Sequence, residues 1–145
     1  MRKRSFVITL VSAAVAAGCG EDSENQESAP KAESGPATVL QLRDTSTPGK
    51  WSFDKKKLTA KAGRVTIEFT NPGDLGHNVR VQSGEKCCFG PGFKDLGGTQ
   101  VIGGLAKDSG KTARTTLNLK PGRYWFLCAN AGHWQGGQRG ALIVN

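Results

Sequence analysis

Val65-Thr66-Ile67-Glu68-Phe69-Thr70, followed at once by Asn71-Pro72-Gly73-Asp74, is the stretch on which the fold turns. Val65, Ile67 and Phe69 alternate with polar residues, the period of two expected of a strand with one buried face. The Asn-Pro-Gly-Asp run ends it as a turn. Similar short runs lie on either side, at 38–43, 77–81, 112–119, 123–128 and 141–144, with weaker candidates at 51–53 and 58–60. No segment sustains a helical period. About six to eight short strands separated by Gly, Pro, Asn and Asp predict an all-β chain folded as a β-sandwich. The stretch 83–110 carries eight glycines and reads as a long excursion between the sheets, holding at most one helical turn.

The first residues read differently. Arg2, Lys3 and Arg4 precede a run of apolar and small residues from Phe6 to Ala17, and Ala16-Ala17-Gly18-Cys19 has the small residues of a cleavage site. Residues 1–18 are therefore expected to be a signal peptide. The run is too short to cross about 30 Å of hydrocarbon as a helix. A cysteine placed directly after the small residues resembles the bacterial lipobox, which implies lipidation of Cys19; the competing reading is an ordinary secretory signal. Residues 19–36 contain five acidic residues against Lys31 and no large apolar side chain, so they are expected to form a disordered acidic tether.

Residues 37–145 remain as one domain, long enough to bury a single core. This part carries 16 Lys plus Arg against 7 Asp plus Glu, a net of +9, whereas the whole chain is +8. Such a balance favours acidic partners. Only Lys55-Lys56-Lys57 is a basic run, a solvated face by its plain reading, and no nucleic-acid motif is present, so nucleic acid is not expected as a partner.

The chemistry is concentrated in few residues. The chain has two histidines, in Gly76-His77-Asn78 and Gly132-His133-Trp134, and the second follows Cys128 by five positions. Two imidazoles, one thiolate and a weak axial group are what copper needs to alternate between Cu(I) and Cu(II) without rearrangement. A distant His combined with a Cys and a second His on one short loop is an economical way to assemble that set.

The segment from Tyr124-Trp125-Phe126-Leu127-Cys128 through His133 to Gln138-Arg139-Gly140 resembles the C-terminal copper loop of the cupredoxins, and Asn71-Pro72-Gly73-Asp74-Leu75-Gly76-His77-Asn78-Val79 resembles their upstream ligand segment. The resemblance implies a Greek-key β-sandwich and a copper ion held by His77, Cys128 and His133. The spacing Cys128-x4-His133-x4-Gln138 is similar to that of stellacyanins, which carry an axial Gln, and of rusticyanin- and auracyanin-like proteins, which carry Met. Met1 is the only methionine here, so Gln138 takes the axial position, the alternative being that it lines a turn. An oxygen donor favours Cu(II) and implies a lower potential than a Met-ligated relative. Gly76 offers a carbonyl near the site. Asn78 either ties the first ligand segment to the Cys loop or caps a turn. Ala131 stands where many relatives have Pro, adding an N–H that would act in the opposite direction on the potential. Trp134, with Phe89, Phe93 and Trp51 nearby, belongs either to a docking surface or to the core. Cys87 and Cys88 are left for a vicinal disulfide, intermolecular pairing or a second soft-metal site.

The function implied is that of a type 1 copper protein, a monomeric one-electron carrier working between redox-partner proteins at the bacterial cell envelope and exported there as a membrane-anchored lipoprotein. The alternative is a copper-handling protein, a buffer or delivery factor. An enzyme is not expected: a catalytic or trinuclear copper needs further histidines, and both are already used.

Overall fold

The computed structural model describes residues 36–104 and 110–145. The leader at 1–18, Cys19 and all but the last residue of the 19–36 tether lie outside the described residues.

Eight strands form the domain: β1 Thr38–Arg43, β2 Lys57–Ala60, β3 Gly63–Thr70, β4 Arg80–Ser83, β5 Lys94–Gly98, β6 Thr112–Leu119, β7 Gly122–Leu127 and β8 Arg139–Val144. They pack as two sheets, β1-β3-β6 and β2-β8-β7-β4-β5. The expected all-β sandwich is the observed architecture. In β3 the alternation works as its sequence demands: Val65, Ile67 and Phe69 are buried, while Thr66 and Thr70 face outward and meet Thr116 and Thr112 on β6, hydroxyl to hydroxyl at 2.8 and 2.9 Å. Such cross-strand pairs fix register, because a slip of one residue would turn the apolar set toward water.

The core lies between the sheets. Leu42, Val65, Ile67, Phe69 and Leu119 from the first sheet meet Val79, Val81, Phe126, Leu142 and Val144 from the second side. Phe53 is the wedge, with ring centroids 5.8 Å from both Phe69 and Phe126. Its segment, a weak strand candidate, is instead irregular chain pinned by a single bridge between Asp44 and Phe53.

Two further differences from the sequence reading have physical causes. The strand expected at 77–81 begins only at Arg80, because His77 leaves the ladder to pair singly with Ile102. The excursion 83–110 contains an edge strand, β5, and no helical turn among the described residues. Lys94-Asp95 and Gly97-Gly98 leave Leu96 as its one apolar side chain, so no alternation marks it. Gly98 is needed there: a Cβ would meet the Val79 carbonyl and lie 2.8 Å from Arg80 Cα.

Phe69→Ala should lower stability by about 3–5 kcal/mol, since the ring is fully buried and packs edge-on against Phe53. Thr116→Val, on the solvent face of the same sheet, should cost less than about 1 kcal/mol. Denaturant midpoints at unchanged m-value decide the comparison, and equal losses would show that the sheet face rather than the core dominates.

Candidate metal centre

The ligand loop is built by the end of β7 and the start of β8. The Cys128 N–H donates to the Gln138 carbonyl at 3.0 Å, and the Gln138 N–H donates back to the His133 carbonyl at 3.0 Å, so both ends of the loop are tied at its neck. Between them, bonds from His133 N–H to the Asn130 carbonyl (3.1 Å) and from Gly136 N–H to the Gly132 carbonyl (3.0 Å) fold the segment into successive turns. Gly132 sits at φ +82°, where a side chain is disfavoured.

His77 arrives from the other side. Its N–H and carbonyl both pair with Ile102 at 2.9 Å. Behind it Asn71, fully buried, donates from Nδ2 to the Leu75 and Ile102 carbonyls at 2.7 and 2.8 Å, and accepts from the Gly73 N–H at 3.0 Å. One side chain thus shapes the turn, closes the 71–75 loop and braces the strand partner of His77. Asn78 Oδ1 accepts the Ala129 N–H at 2.9 Å, and Asn130 Nδ2 donates to the Gly76 carbonyl at 2.6 Å. The two ligand segments are therefore stitched together in both directions.

These constraints bring the donor atoms to one point. His77 Nδ1 lies 3.1 Å from His133 Nδ1, and Cys128 Sγ lies 3.9 and 3.5 Å from them. Gln138 Oε1 is 3.0 Å from His77 Nδ1. Bonds of about 2.0–2.3 Å from N and S donors to one ion give separations of this size. The set is soft sulfur, two imidazoles and one amide oxygen, a donor chemistry that suits copper. His77, Cys128 and Gln138 are at most 1% exposed, and only His133 reaches the surface, stacked flat on Trp51 at 4.1 Å and 13°.

The orientation of Gln138 follows from a residue the sequence reading did not single out. Asp44, 3% exposed, accepts from Gln138 Nε2 at 2.6 Å and from Ser46 Oγ at 2.7 Å. A carboxylate only accepts, so the amide must turn its NH2 toward Asp44, which leaves Oε1 facing the cluster. Asp44 also lies 3.8 Å from His77 Nε2, beyond hydrogen-bond range but close enough for charge to act. Nothing local in the sequence marks Asp44, which is 94 positions from Gln138.

Burial acts on the ionisation of Cys128 and His77. It pushes the Cys128 thiol above its ordinary range, only partly opposed by the Asn78 and Asn130 backbone N–H groups at the sulfur. Those two residues, rather than Ala131, supply the N–H groups there. Burial also lowers the pKa of His77, with Asp44 opposing.

Leu75 and Val101 flank the His77 segment and are 46% and 49% exposed. Trp134, half-buried, packs on Phe89 at 5.6 Å, and Phe89 on Phe93 at 5.3 Å, with both phenylalanines exposed. Trp51 is thus part of the site, while Phe89 and Phe93 are surface residues. Cys87 and Cys88 stand apart from the cluster, their sulfurs bonded to each other, and Cys128 is the free cysteine among the described residues.

A sandwich holding a buried His-Cys-His cluster at the mouth of its Cys loop defines a cupredoxin-type metal-binding protein. The family profile described as copper binding proteins, plastocyanin/azurin family, matches residues 40–145, and the chain belongs to that family. Its members are generally blue copper electron carriers rather than enzymes, and copper is the cofactor of this fold. Among solved structures, the chain is similar to auracyanin A, a "blue" copper protein from the green thermophilic photosynthetic bacterium Chloroflexus aurantiacus, at 19% identity and TM-score 0.59, covering 76% of this chain and 100% of that one. Auracyanin from the photosynthetic bacterium Roseiflexus castenholzii gives 23% identity and TM-score 0.59, covering 77% of this chain and 99% of the other. A reduced rusticyanin gives 26% identity and TM-score 0.57, covering 77% and 81%. No curated protein sequence matches the chain significantly.

Metal uptake should release one proton from Cys128, because the thiol keeps its proton at neutral pH while His77 is already neutral. Between the imidazole and thiol ranges the apparent affinity should rise about tenfold per pH unit, read by chelator competition. A flat profile would mean the thiol is ionised before metal arrives.

Proposed function

We propose that this protein is a type 1 copper electron carrier of the cell envelope, with His77, Cys128 and His133 as the strong ligands and Gln138 Oε1 as the axial donor. The observation that carries the reading is the pre-assembly of the site: four donor atoms meet in a buried pocket, each held by hydrogen bonds that do not involve a metal. A copper ion there supplies one-electron chemistry, and a cage that cannot move keeps the two oxidation states nearly alike in geometry. A delivery factor needs ligands that open to an acceptor; three of these four residues are buried.

The surface fits transient exchange. His133 is the ligand nearest solvent, and Leu75, Val101 and the Phe89–Trp134 pair extend from the ligand-bearing segments as exposed apolar area. Short-lived electron-transfer complexes use small interfaces of this kind. The excess of basic residues in the domain matches acidic redox partners met by a monomer. The signal-like leader and Cys19 support export and lipid anchoring, with 19–36 as the spacer. No helix among the described residues is long and apolar enough to cross a membrane.

Adding Cu(II) to the protein should produce an intense visible thiolate-to-copper charge-transfer band, which Cys128→Ser should abolish. A copper-loaded, folded wild type without the band would overturn the reading. Gln138→Met should raise the reduction potential by removing the oxygen donor, and Asp44→Asn should raise it by removing a buried charge, on the order of 1–3 kcal/mol at an effective dielectric of about 20. Because Asp44 aims Gln138, the double variant should fall short of the sum of the two shifts. Full additivity in voltammetry would mean that the carboxylate acts through charge alone.

A further inference from the structure

Outside the metal centre, a second concentration of reactive groups among the described residues is the loop between β4 and β5. Cys87 and Cys88 are bonded to each other there. Cys88 is 5% exposed, whereas Cys87 is half-buried and lines a surface cleft of about 420 Å³ with Glu85, Lys86, Arg123, Trp125 and Arg139. Three cations against one anion make that cleft attractive to a negative ligand, and its volume suits a small molecule. Its floor is firm: the Arg123 guanidinium lies 4.5 Å over the Trp125 ring, and Trp125 Nε1 donates to the Gly84 carbonyl at 3.1 Å.

The loop above is held less comfortably. Phe89 adopts φ +56°, a left-handed conformation costly for a bulky residue. Gln82, 1% exposed under the loop, receives the Phe89 N–H at 3.4 Å and leaves its own Nε2 without a partner. Both features sit in the segment that carries Cys87 and Cys88.

We propose that Cys87–Cys88 is a thiol–disulfide exchange site for a small anionic thiol, entered through Cys87 Sγ. An incoming thiolate attacks Cys87 Sγ, forming a mixed disulfide as the Cys87–Cys88 bond breaks; the electron pair leaves on Cys88 Sγ, which takes up a proton. A second thiolate attacks the outer sulfur of the mixed disulfide and releases Cys87 as a thiolate. Two thiols are oxidised to one disulfide, and the protein disulfide is reduced to two thiols. Cys88 cannot be the entry point, because its burial shields it from attack. Lys86, Arg123 and Arg139 draw the anionic thiol in. The copper ligands take no part.

The test uses the copper-loaded full chain, held anaerobic and reduced so that copper stays Cu(I), incubated with glutathione or with uncharged 2-mercaptoethanol. Samples are alkylated over time and the cysteines mapped by mass spectrometry. A transient glutathione adduct on Cys87 is expected, then free Cys87 and Cys88, with Cys128 unlabelled because metal protects it. Per unit thiolate, glutathione should react about tenfold faster than the neutral thiol, and Arg123→Gln or Lys86→Gln should shrink that ratio while leaving the neutral rate unchanged. An adduct on Cys88, no reduction of the folded protein, or a ratio near one that neither variant alters would overturn the proposal. Labelling of Cys128 would instead report failure of the metal site, a separate outcome from the fate of Cys87.

Discussion

The metal end of the molecule depends on Gln138. Its backbone closes the ligand loop, pairing with both Cys128 and His133, and its side chain reaches across the sandwich to Asp44 at the end of β1. β1 belongs to one sheet and β8, which follows Gln138, to the other. The same amide therefore joins the two sheets and presents its oxygen beside His77. Loss of the amide would leave a buried carboxylate short of a donor, a vacancy that typically costs more than the hydrogen bond contributes when made.

That arrangement shows how contacts within the protein position the donor atoms. Burial disfavours charge on Cys128 and on His77 alike. Asp44 is ringed there by donors from Ser46 and Gln138. A cation arriving among the donors meets a carboxylate 3.8 Å from the far edge of His77. Metal-bound imidazoles commonly turn their second nitrogen toward such a group.

The residues able to hold a metal were legible in the sequence because they carry scarce chemistry at fixed spacing: two histidines and the one cysteine besides Cys19 and the Cys87–Cys88 pair. The sandwich was legible in β3, β6 and β7, where apolar and polar positions alternate. β5 was hidden because an edge strand with one apolar side chain has no alternation to show. Asp44 and the bracing role of Asn71 were hidden for another reason. Each acts through hydrogen bonds to atoms distant in the chain, Gln138 for Asp44 and Ile102 for Asn71, and side-chain periodicity carries no record of such pairings. Asn71 was visible as a turn residue at the head of the first ligand segment, which leaves out its bracing of Ile102.

Two opposing influences on the potential emerged from the sequence, the oxygen donor of Gln138 and an extra N–H at Ala131, with no means of weighing them. The structure changes the terms of that balance. The N–H groups at the sulfur come from Asn78 and Asn130, which leaves Ala131 outside the count. On the opposite side stands Asp44, a buried negative charge near His77 that favours the more positive oxidation state of any bound copper. Oxygen donation and buried charge then act in the same direction and through the same contact, since the carboxylate that attracts the cation is also the group that turns the amide oxygen toward it. In the proposed copper centre, a low potential would thus belong to the Asp44–Gln138 pair rather than to either residue alone.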